Sequence, residues 1–202
     1  MVALVGDVSE NLLAGVGRSG NISVARPAAE TANGSASPGS APSNSAAPGG
    51  WETGARAMRD AARRPSMYVI VPDDPLAAVA AAWSRMWDLS AAPAGAADFE
   101  HAAAAALAAW RGGQFELPDY YLVVSPPHLQ TSAPDFYLGP LRAARSRRVG
   151  VAGIADAPGQ TSLVLDGLRA LEHGPWWPPL DELVAGARAF YAGGLAETQA
   201  GE

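Results

Sequence analysis

FELPDYYLVVS, residues 115–125, holds the clearest strand of the chain: Tyr121, Leu122, Val123 and Val124 form an unbroken run that suits a strand covered on both faces. Such a strand calls for helices above and below its sheet, and helices are legible on either side of it. Upstream, SMYVIV at 66–71 is a second strand, rich in β-branched and aromatic residues. It runs into Pro72-Asp73-Asp74-Pro75, where Asp74 suits a helix N-cap and Pro75 the first helical position. Leu76, Val79, Ala80, Trp83, Met86 and Trp87 then recur at spacings of three and four, which makes a core-facing stripe. After Pro93-Ala94-Gly95, Asp98 suits the cap of a second helix, with Phe99, Ala103, Leu107 and Trp110 on one face and Gly112-Gly113 as its stop. The predicted core contains Trp83, Trp87, Trp110, Tyr121 and Val123.

Downstream, a short helix over about 138–147 places Leu138, Leu141 and Ala144 inward and gathers Arg142, Arg145, Arg147 and Arg148 at its C-terminus, where the macrodipole favours cations. Val149, Val151 and Ile154 alternate with glycine and alanine as a thin strand near the sheet edge. Residues 161–173 carry leucines at helical spacing, GPWWPP at 174–179 is a rigid turn, and a last helix begins at Leu180 and stops at Gly193-Gly194. This order predicts an α/β fold: a small three- to four-strand sheet covered by amphipathic helices, forming one domain over 51–195 with a frayed tail at 196–202.

The front of the chain reads differently. Residues 27–50 are Ala, Gly, Ser, Pro, Thr and Asn apart from Glu30, with nothing to offset the entropy of ordering, so they read as a disordered linker. Residues 1–26 are then left as a fragment too short to fold by itself, although Val2–Val5 and Ile22–Val24 each have the composition of a short strand. Gly15, Gly17 and Gly20 match the spacing of a dinucleotide fingerprint, but no helix follows to receive a pyrophosphate, so the match is fortuitous. A helix over 51–64, capped at Thr53, carries Arg56, Arg59 and Arg63 on its outer face. The expectation is that residues 1–57 are dispensable, as a tethered tail or as sequence upstream of a true start at Met58 or Met67.

Cysteine is absent, which excludes disulfides, thiolate metal sites and cysteine nucleophiles. Lysine is absent too, which removes Schiff-base and Walker-type chemistry; the bias towards Arg, Ala, Gly and Pro fits a GC-rich, bacterial-type genome. A net charge of −6 argues against a dedicated nucleic-acid binder. The N-terminus lacks the basic region of a signal peptide and no apolar run reaches about 20 residues, so a cytoplasmic protein without membrane segments is expected.

Asp74, Ser125 and His128 follow the ends of the two best strands, where α/β sheets bind ligands, and they combine acid, nucleophile and base types. Ser125 lacks the elbow motif of hydrolases, so the constellation is a weak one. Trp176 and Trp177, set between prolines, and the cations Arg145 and Arg148 are the candidate binding residues. The first functional reading is an accessory or protein-interaction domain. The second is a small-molecule hydrolase or transferase with its site at the strand ends, and the third a nucleic-acid adaptor using the arginines. No cofactor or metal is expected.

Overall fold

The computed structural model describes residues 1–6, 8–25, 56, 59, 63, 66–87, 92–124, 133–153 and 157–200. The linker expected over 27–50 lies outside them. Of the helix expected over 51–64, Arg56 and Arg59 are helical, and Arg59 donates to the Gln114 carbonyl at 2.9 Å.

The protein is α/β. Its strands are β1 (Val2–Gly6), β2 (Ile22–Val24), β3 (Tyr68–Val71), β4 (Tyr120–Val124) and β5 (Val149–Ala152). They form one five-stranded sheet of order β2-β3-β1-β4-β5, and every described pairing is parallel. That is more strands than the sequence reading gave, because β1 and β2 come from the segment set aside as a fragment. The sheet therefore does not begin at Trp51. Val2–Gly6 is its middle strand, pairing with Tyr120–Val124 along its whole length on one side and with Ile70 and Val71 on the other. Periodicity could not reveal this, since a four-residue apolar run is too short to distinguish a central strand from a stray one.

Strand alternation sorts the core into two layers. Val2, Leu4, Leu122 and Val124 face α1 (Glu10–Gly17) and α5 (Ala157–Arg169), meeting Leu12, Leu13, Val16, Val164 and Leu168. Ala3, Val5, Tyr121 and Val123 face the opposite way, towards α2 (Ala77–Arg85), α3 (Ala92–Arg111), α4 (Ala133–Ala144) and α6 (Leu180–Ala200). With helices on both faces, the inner strands β1 and β4 are buried on both sides, which explains the unalternating YLVV of β4.

Several boundaries shift. The α3 helix starts at Ala92, so Asp98 does not cap it and instead pairs with Arg85 at 3.1 Å. Phe99, Ala103, Ala106 and Ala109 form its buried row, while Trp110 packs half-buried beside it. Trp83 is buried as expected, but Trp87, also expected inside, is 37% exposed because it stands past the end of α2. Gly193-Gly194 does not stop α6, which continues to Ala200; Gly194 is covered by the Trp87 ring, 2.5 Å from where a Cβ would stand. Inside α4, Tyr137–Leu141 is a π-helical turn around Pro140, whose missing N–H and bulky ring disrupt an ordinary α-helical ladder. The thin strand at the sheet edge, β5, is where the sequence reading put it.

A middle strand buried on both faces cannot be dispensable. Leu4→Ala should cost about 2–5 kcal/mol in urea unfolding, as buried leucine truncations do. A chain starting at Met58 should yield no cooperatively unfolding protein by circular dichroism.

Candidate functional site

Parallel sheets wound in both directions have a crevice where neighbouring strands send their chains to opposite faces. Here β1 feeds α1 on one face while its neighbour β4 feeds α4 on the other, so the switch point lies beyond the carboxyl ends of β1 and β4. Gly6 closes β1 at that point with φ +106°. A Cβ on it would lie 2.2 Å from the Val124 carbonyl oxygen, so only glycine fits so close to β4. Three residues on, Ser9 caps α1, its Oγ accepting the Leu12 N–H at 3.2 Å. The glycine that matters to this turn is thus Gly6. Gly15 and Gly17 end α1 rather than precede a helix, and Gly15 is where α1 closes on Thr161 of α5.

Asp74, just past β3, lies inside the molecule at 6% exposure. Tyr121 donates its hydroxyl to Oδ1 at 3.0 Å, Tyr137 donates to Oδ2 at 2.5 Å, and the Leu76 N–H also points at the carboxylate. Asp74 is not the helix cap read from the sequence, because the helix starts at Ala77 with Leu76 in the cap position and no side-chain cap bond. Burial pushes the carboxyl up to about 6, while the bonds from Tyr137, Leu76 and Tyr121 pull it back. Burial raises both tyrosine hydroxyls well above their ordinary value, and the nearby Asp74 charge adds to that. The two rings stand 5.2 Å apart, and Tyr121 also meets the edge of Trp177 at 5.6 Å. Three elements, β4, α4 and the loop before α2, thus meet at one carboxyl group. Sequence reasoning missed both tyrosines as its partners. The available signal was that a buried Tyr hydroxyl needs an acceptor, and Asp74 is a carboxylate beside the same layer.

Ser125 and His128, the partners expected for Asp74, lie outside the described residues. Partial burial raises Asp73 above the ordinary carboxylate range, and burial does the same to Asp135.

The other four candidates gather at the amino ends of β4 and β5. Trp177 is a core residue whose indole N–H donates to the Pro118 carbonyl at 2.7 Å. Trp176 is 53% exposed and lies under the Arg148 guanidinium, 4.6 Å from ring centre to Cζ. Arg148 is buried and donates to three carbonyls, of Asp119 and Gly174 at 2.8 Å and of Pro175. Arg145 donates to the carbonyls of Trp176 at 2.7 Å and Ala144 at 2.8 Å. These contacts tie the GPWWPP turn to the sheet.

A second exposed aromatic group was not foreseen. Trp87 and Phe190, the latter 43% exposed, both lean on buried Trp83, at 5.5 and 6.1 Å between ring centres, and Tyr191 meets Trp87 edge-on at 4.9 Å. All are fixed from beneath. The Trp83 indole donates to the Ala187 carbonyl at 3.0 Å, the Tyr191 hydroxyl donates to the Met86 carbonyl at 3.0 Å, and the Phe190 ring covers Gly139.

Among the described residues no group of three or more His, Asp or Glu side chains is placed to hold a metal ion. No described helix is long and apolar enough to cross a membrane. Comparison with protein-family models, with curated proteins and with solved structures gives no match for this chain.

The raised Asp74 carboxyl fixes a sign. The folded state holds this proton up to about pH 6, the unfolded chain only to about 3.8, so the folded state binds more protons between the two and its stability falls as pH rises through that window. The shift corresponds to about 3 kcal/mol. Urea unfolding of wild type and Asp74→Asn at a series of pH values should show the two curves diverging by that order from pH 4 to 6 and running parallel above 7. The lowered Glu100, bonded to Arg188, acts in the opposite sense but equally in both proteins.

Proposed function

We propose that this protein is an accessory domain that binds a partner protein through the aromatic face of Trp87, Phe190 and Tyr191. The observation that carries the reading is the exposure of Trp87 and Phe190 on a rigid bed, both rings leaning on Trp83 and Trp87 also covering Gly194. Tryptophan and tyrosine are the side chains that dominate binding energy at protein interfaces. Rings already held in one orientation lose little conformational freedom when a partner covers them. The partner chemistry that fits is an apolar side chain or short amphipathic helix entering between Trp87 and Phe190, with Glu100 and Arg188 forming a charged pair elsewhere on the α3–α6 surface.

The parallel sheet favours a second reading, a small-molecule hydrolase or transferase working at the switch point between β1 and β4, with Asp74 beneath it. This rests on the general habit of doubly wound sheets and on Gly6, where the chain turns tightly against β4. Its general base would be His128, whose ordinary pKa lies nearest neutrality. The third reading, a nucleic-acid adaptor, rests on the arginines and runs against the net charge of −6.

The test begins with cross-linking from a photoreactive residue at position 87 in the source cells, followed by calorimetry with the purified cross-linked protein. Trp87→Ala and Phe190→Ala should each weaken the complex by about 30-fold or more, the loss of a central aromatic anchor, while Trp176→Ala leaves it unchanged. Equal affinity of all three variants would reject this face. An activity found by substrate screening that disappears in His128→Ala and persists in Trp87→Ala would favour the second reading.

A further inference from the structure

We infer that the cavity at the amino ends of β4 and β5 is a binding site for a phosphoryl anion, either free phosphate or a small phosphomonoester. The cavity has a volume of about 200 Å3 and is lined by Arg145, Ser146, Arg147, Arg148 and Pro175, with Ala143 and Ala144. Three arginines among four consecutive residues thus line one opening, in a chain whose net charge is −6.

Arg148 is one of the lining residues and is 7% exposed. Its hydrogen-bond partners are the carbonyls of Asp119, Gly174 and Pro175, and its plane lies between the rings of Tyr120 and Trp176, at 5.4 and 4.6 Å. All of these are uncharged. No described carboxylate forms an ion pair with Arg148 or Arg145; the Asp119 carboxylate pairs instead with the amino group of Met1. A buried cation with only neutral partners retains a desolvation cost that an anion in the adjoining space would relieve. The clasp on the carbonyls also fixes the guanidinium, so an arriving anion finds it already oriented.

Arg145 is held in the same manner by the Trp176 and Ala144 carbonyls, which leaves part of its five-donor fork free. Ser146 adds a hydroxyl. Arg147 is exposed and its described ion-pair partner is Glu172, at 3.5 Å, a loose surface pair that a better acceptor can replace. Planar forks from several arginines match the oxygens of a phosphoryl group, and charge-assisted bonds of this kind are about twice as strong as neutral ones. The space exceeds the roughly 30 Å3 share of one water several times over, so phosphate enters with part of its hydration.

The full chain is titrated with inorganic phosphate and with glycerol 3-phosphate, ionic strength being held constant with sodium chloride, and the unfolding temperature and tryptophan fluorescence are followed. A saturable rise in unfolding temperature is expected. Arg147→Gln should weaken binding about tenfold, the loss of one charge-assisted contact, whereas Glu172→Gln, which removes the competing carboxylate, should tighten it. Arg148→Gln is not a usable variant, because its clasp holds the turn to the sheet. Tighter binding of the monoester identifies an esterified ligand, and equal or tighter binding of inorganic phosphate identifies the free anion. A response no larger than that of chloride, or Arg147→Gln and Glu172→Gln both titrating like wild type, overturns the inference.

Discussion

The fold depends on the backbone of Val2–Gly6 finding hydrogen-bond partners on both edges. Its strand pairs with β4 at five consecutive residues and with β3 at two, and each of those neighbours carries one outer strand, β5 and β2. Remove it, and two separate two-stranded ribbons remain, which is below what stands alone in water. Both layers of the core lose their centre at the same time, because Leu4 belongs to one and Ala3 and Val5 to the other. The position explains why Gly6 admits no Cβ: β1 ends against Val124, and the chain leaves for α1 through the narrow space beside it.

Polar groups inside this core are few and serve as joints between elements. Asp74 connects β4 and α4 to the start of α2 through two tyrosines. Arg148 connects the segment before β5 to the turn at 174–175 and the start of β4. The two differ in how their charge is handled. A carboxyl can accept a proton and become neutral, so burial is met by a raised pKa. An arginine has no such recourse at any ordinary pH and must be supplied with acceptors. That difference is why the aspartate makes stability depend on acidity, whereas the arginine keeps its charge and is met by three main-chain carbonyls.

Much of this was legible in the residues. SMYVIV and YYLVV announced two strands, the leucine and tryptophan stripe announced α2, and the alternation of valine with glycine placed β5 near an edge. Trp83, Tyr121 and Val123 were assigned to the core on spacing alone and are there. What was not legible is non-local. Val2–Val5 has strand composition, yet nothing in four residues says that its partners are Tyr120–Val123. The low-complexity stretch after it suggested a boundary, whereas the chain returns to the same sheet at Tyr68. Trp87 continues a core-facing stripe in the sequence, but the helix carrying the stripe ends at Arg85. The place of Asp74 after a strand is legible, but its partner Tyr137 stands at the start of the π-helical turn in α4, which a Gly-Pro pair hints at without specifying.

The order of the strands also bears on how the protein emerges from the ribosome. Its middle strand is made first, while the partner that covers it most completely, β4, is made only when more than half of the chain has followed. Until β3 is made Val2–Gly6 is an apolar segment with both edges unsatisfied, its early local partner being α1, and the edge that faces β4 stays open longer still. Long-range parallel pairing of this kind closes slowly and leaves strand edges open to other nascent chains. Yield in a heterologous host should therefore depend on translation speed and on the supply of chaperones, more than on the stability of the finished fold.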